Sequence, residues 1–150
     1  MTPAAALAVS KQFYRAFELC RGNGLTSLDG KPSADIPSVV NLAFLIELAL
    51  KASLLAYNQT SRAHDLSELY SLLPETDRDF ILHESGLQVA RFSEQLDAAA
   101  KSFVEWRYLH EKNGLLSVSL QFLELLWLAV SRLAEQKRRE QLSRLRNYAG

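Results

Sequence analysis

The stretch "VVNLAFLIELALKASLLAY", Val39 to Tyr57, decides how this chain folds. Wound as an α-helix at about 100° per residue, it points apolar side chains in nearly every direction. Only Glu47 and Lys51, four residues apart, make a narrow polar strip. A helix this apolar is buried on more than one side. Either one side packs internally and another meets a second subunit, which predicts a homodimer, or the helix is central in a monomer. On the simplest reading Glu47 and Lys51 form an i to i+4 ion pair on a solvated edge, worth about 0.3 kcal/mol.

Outward from this segment, apolar residues recur at helical spacing almost everywhere, and alternating strand-like runs are missing, so the chain reads as all-α. A first helix is expected from about Pro3 to Cys20, with the glycines and prolines of "RGNGLTSLDGKPSADIP" forming a long loop before the second helix at about Pro37 to Tyr57. Asp65 or His64 then opens a short helix ended by Pro74, and "PETDRDFILHES" forms another with Thr76 or Asp77 near its start. Gly86 precedes a long helix, about Leu87 to Lys112. Asn113-Gly114 ends it, and a last helix runs from about Leu115 into a basic tail.

Composition bounds what such a protein does. With 150 residues the chain makes one ordinary domain, and 17 basic residues balance 17 acidic ones. There is no bulk electrostatic pull toward nucleic acid or anionic membrane, so such binding needs a local patch. The single Cys20 forms no internal disulfide, and Lys11 and Arg15 follow the small-residue N-terminal run instead of preceding it, which together favour the cytoplasm over a secretory route. The run "LLSVSLQFLELLWLAVSRLA", Leu115 to Ala134, has the length of a membrane span. Glu124, Gln121 and three serines interrupt it, and one central charge costs about 2.5–3.5 kcal/mol on insertion, so it reads as a buried helix of a soluble bundle.

The long helix carries the oddest face. Phe92, Leu96, Ala99, Phe103, Trp106 and His110 form one stripe, with Arg107 beside it and Glu111 at its margin. An unpaired guanidinium is too costly to bury, so Arg107 requires a carboxylate, a carbonyl cluster or a wet cleft, with Glu111 and Glu47 as first candidates. Two readings stay open. One is a structural ion-pair network or a snorkelling Arg107. The other is a polar cleft between this helix, the second helix and the His64 turn, where Arg107 would suit an anion such as phosphate.

The succession of "FLIELALKASLLAY", "RAHDLSELYSLLP" and "SFVEWRYLHE" resembles the HEPN domain family over roughly residues 37–111. The resemblance implies a four- to five-helix up-and-down bundle, commonly a homodimer with a shared cleft, and sometimes a nucleotidyltransferase as partner. Many HEPN proteins are metal-independent ribonucleases of toxin or defence type, using an arginine and a histidine with four to six residues between them. Here only Tyr108 and Leu109 separate Arg107 from His110, a departure from that pattern. Residues 1–150 are therefore expected to form a single HEPN-like domain that binds a nucleotide, nucleic acid or protein partner without the usual catalytic motif. Glu47, Lys51, His64, Arg107 and Glu111 are the binding candidates. The alternatives are a ribonuclease, with Arg107 stabilising developing charge and His110 moving protons, and a purely structural interaction module.

Three further features weigh on this expectation. "RDFILH", Arg78 to His83, has the usual nuclease spacing, but eleven arginines and three histidines supply on the order of one such match by chance, and it lies before the long helix. His64 either serves structure, capping the short helix or bonding Asp65 and the loop, or faces the Arg107 cleft. The histidines lack metal-ligand spacing, and no cofactor motif is present. From about residue 135 to 150, Lys137, Arg138, Arg139, Arg144 and Arg146 outnumber Glu135 and Glu140, a modest basic patch that either complements the helix C-terminus or touches RNA.

Overall fold

A computed structural model describes residues 2–22, 35–100 and 119–148, with side chains for 2–19, 38–100 and 119–147. The described residues form six helices and no strand: α1 (Pro3–Gly22), α2 (Asp35–Leu55), α3 (Leu66–Ser71), α4 (Glu75–Ser85), α5 (Val89–Ala99) and α6 (Leu120–Tyr148). These are the six helical segments that the turn residues delimit, with shifted ends. Helix α4 starts at Glu75, one residue before Thr76, because Pro74 takes the cap position and its fixed φ leads into the first turn. Helix α6 opens at Leu120 instead of Leu115, where the Ser119 hydroxyl accepts from the Phe122 N–H at 3.1 Å. Helix α5 begins at Val89, two residues after the expected Leu87, and its expected continuation past Ala100 lies outside the described residues.

Helix α2 is the centre. It packs chiefly against α1 and α6 and also touches α3, while α4 lies on α6 and α3 on α5. Leu42, Leu45, Ile46, Leu50 and Leu54 are fully buried, and they meet Phe17 of α1 and Leu123, Leu126 and Val130 of α6 in one core. The apolar side chains of α2 are met largely within the chain: between Leu42 and Leu54 only Phe44 and Lys51 are not buried. Among the described residues only one window, Ser38–Leu55 in α2, is long and apolar enough to cross a membrane, and 72% of it is buried against the rest of the protein. The part of Leu115 to Ala134 within the described residues is likewise core, with Phe122, Leu123, Leu126, Trp127 and Val130 buried.

Aromatic and polar contacts lock the layers. Phe13 of α1 meets Phe44 of α2 edge-on at 4.7 Å between centroids, and Tyr14 stacks on Trp127 of α6 at 5.4 Å. Phe92 of α5 touches both Tyr70 of α3 and Phe122 of α6. Small residues let α1 come close to α2: Ala6 and Ala52 share a buried cluster, and the Ser10 hydroxyl donates to the Leu45 carbonyl at 2.6 Å. Between α2 and α3 the chain reverses through Asn58, which holds φ at 58°, a left-handed conformation that asparagine tolerates. That reversal returns residues 60–65 to the side of α2.

Candidate binding site

The polar strip of α2 sits where this returning segment meets it. The Glu47 side chain is only 3% exposed, and its Oε1 accepts from Lys51 Nζ at 2.8 Å, one helical turn further on. His64 Nδ1 lies 3.0 Å from the same oxygen. The expectation of a solvated Glu47–Lys51 edge is therefore corrected. With the carboxylate almost wholly withdrawn from water, its partners offset a desolvation cost that a surface pair would not carry. His64 does not cap the short helix either; Asp65 does, its Oδ1 accepting from the N–H groups of Ser67 and Glu68 at 2.9 and 3.1 Å. The cap fixes the entry to α3, and His64, the residue just before it, is held across α2 at Glu47.

Beside this cluster is a cavity of about 340 Å³. Glu47, Lys51, Thr60 and Ser61 are its polar lining, against Leu48 and Leu55 of α2 and Ala6 of α1. The size and the mix of an apolar wall with a few polar groups suit a small ligand. Glu47 Oε2 is buried and has no hydrogen-bond partner among the described residues. Lys51 is 21% exposed, and an ammonium has three donors, so the Glu47 bond leaves capacity for a ligand acceptor. Of the five residues that sequence reading named for binding, the fold brings Glu47, Lys51 and His64 together. Arg107 and Glu111, with His110, lie outside the described residues.

The fold does not bring Arg78 and His83 together. Five residues apart on α4, they point about 140° from one another. The His83 side chain is 89% exposed, whereas Arg78 has a buried Nε.

A second polar cluster, built around the buried Asp77, escaped sequence reading. Lys137 Nζ of α6 is 2.8 Å from Oδ1 of Asp77 in the first turn of α4, and the Tyr57 hydroxyl donates to Asp77 Oδ2 at 2.8 Å. Burial raises the Tyr57 pKa, and the neighbouring Asp77 adds to the rise. Lys137 also lies over the Tyr57 ring, 5.1 Å from its centroid. Lys137 is therefore not part of an open basic patch; the exposed cations of the tail are Arg138, Arg139, Arg144 and Arg146. Spacing along the sequence gave no hint of this triad, because its members come from three separate segments.

A wider groove of about 410 Å³ runs between α1 and α6, bordered by Lys11, Arg132, Glu135 and Arg139. Its charges largely serve the fold: Lys11 pairs with Glu135, and Arg132 with Glu84. Among the described residues no group of three or more His, Cys, Asp or Glu side chains is arranged to hold a metal ion. Compared with models of protein families, with curated proteins and with solved structures, the chain matches none.

Proposed function

We propose that this chain is a HEPN-like helical binding domain that takes a nucleotide in the cavity lined by Glu47, Lys51, Thr60 and Ser61, with His64 beside it, and lacks the usual HEPN nuclease motif. One observation carries the reading. Three residues chosen from sequence for binding, from positions 47, 51 and 64, converge beside a cavity of small-ligand size. Among the expected ligand classes a nucleotide fits best, because a cavity of about 340 Å³ suits one base or nucleoside better than an extended strand or a protein face. Lys51 would supply charge to an anionic or acceptor group, and Thr60 and Ser61 hydroxyl partners for a sugar.

The remaining parts of the proposal rest on the HEPN resemblance, for an up-and-down bundle, a homodimer and a nucleotidyltransferase as an outside partner, and on the single Cys20 and the order of charges at the N-terminus, for the cytoplasm. Sedimentation velocity on the purified chain tests the dimer directly, and a monomer at every concentration would remove it.

Calorimetric titration with mononucleotides and with a short RNA tests the function. Saturable mononucleotide binding that weakens at least tenfold in Lys51→Ala is the expected result. Binding of RNA alone would replace the cavity with a surface site, and cleavage of RNA in chelator, lost in Arg107→Ala or His110→Ala, would replace the binding domain with a ribonuclease.

A further inference from the structure

Glu47 is the least expected lining residue of the cavity. Its carboxylate is almost wholly withdrawn from water, yet its hydrogen bonding is lopsided: Oε1 serves both Lys51 and His64, and Oε2 serves no described residue. A buried acceptor without a donor is costly, and most folds supply one. A ligand that brings an N–H into the cavity would remove that deficit. The terminal torsion of a glutamate is soft, so the carboxylate can turn to offer an oxygen to the cavity while Lys51 follows on its flexible stem.

The charge balance narrows the class of donor. Lys51 already neutralises Glu47, so a cationic ligand would compete with Lys51, whereas an uncharged N–H donor adds a bond without adding charge. The flanking Leu48, Leu55 and Ala6 favour a flat apolar body behind that donor. An ionised carboxylate only accepts, so an oxo base can reach it only through its ring N–H, whose flanking carbonyl then faces the same carboxylate acceptor against acceptor.

We infer that Glu47 determines specificity in this cavity, selecting heteroaromatic bases that carry an exocyclic amine over their oxo counterparts. The inference rests on the nucleotide-binding reading and goes beyond it by stating which bases are taken. Adenosine against inosine, and cytidine against uridine, are the matched pairs. The amine member of each pair is expected to bind roughly tenfold or more tightly, the usual scale for a mismatched buried hydrogen bond.

The experiment is calorimetric titration of the intact chain with these four nucleosides, repeated with Glu47→Gln. A glutamine both donates and accepts, so the preference should shrink toward parity in the variant while an amine ligand still binds. The wild-type comparison stands even if the variant folds poorly. Equal affinity within both pairs overturns the inference and leaves nucleotide binding intact. A preference that survives Glu47→Gln unchanged also overturns it, moving selection to another group. Failure of all four nucleosides and their monophosphates to bind overturns the inference and the nucleotide reading together.

Discussion

Lys137 departs furthest from what its neighbours in sequence suggest. It stands in a run of cations on α6, yet its side chain is 14% exposed and its ammonium is held by Asp77, itself 5% exposed. Burial by itself pulls the Lys137 pKa down, but the hydrogen bonds to Asp77 and Tyr57 and the Asp77 charge outweigh it, leaving the pKa raised above its ordinary 10.5. The folded pKa lies above the unfolded one, so this contribution to stability is complete below pH 10.5 and fades only as pH rises toward the folded value. Lys137→Ala should cost about 3 kcal/mol in urea unfolding, because it leaves the Asp77 carboxylate buried without its partner, and Asp77→Asn less, because Glu140 Oε2, 3.7 Å from the ammonium, still faces it. Replacing both by apolar residues of similar volume should cost less than either alone. The identity of this pair was hidden in the sequence, since Asp77 and Lys137 become neighbours only when α4 lies on α6.

At the scale of the element, caps and turns were the most legible features. Asp65 was one of two residues named to open the short helix, and it does so through two backbone N–H groups. Asp65→Ala should lower stability by about 1 kcal/mol. The cap also positions His64, so the same substitution should weaken mononucleotide affinity, an effect that a surface alanine elsewhere on α3 would not produce. Gly86 closes α4 with φ at +67°, and a Cβ added there would meet nothing within 4 Å. Gly86→Ala is expected to cost about 1 kcal/mol from backbone strain alone, read as a lower urea midpoint with an unchanged slope. Helix ends were less legible. Ser119 gives α6 its start, but Leu115 continues the same apolar pattern, and periodicity alone cannot rank two starts on one face.

For the whole molecule, the closure of α1 on α6 carries a pH signature. The Lys11 hydrogen bond is the main influence that holds the Glu135 pKa below its ordinary 4.5, with help from Arg138 and Arg139 and against burial. The folded pKa is the lower one, so the stabilisation is present above pH 4.5 and is lost as pH falls through the folded value. Urea unfolding of wild type and Lys11→Ala between about pH 6 and pH 3 should therefore converge at the acid end. A constant difference across that range would show that Lys11 acts by packing and not through Glu135.

By itself, the amino-acid order determined the class of fold, the breaks between helices and the burial of α2 on more than one side, and it named three residues, Glu47, Lys51 and His64, that the fold brings together. Those properties follow from periodicity and turn chemistry, which act over a few neighbouring residues. Tertiary structure decided what each polar group faces. Glu47 and Lys51 have the spacing of an ordinary surface pair, but packing of α1 on α2 and the return of the chain to His64 enclose them. The apolar surround of α2 could equally have met a second subunit, and α1, α3 and α6 cover it within the chain. Burial is set by which segments arrive from far along the chain, and no local pattern encodes that arrival.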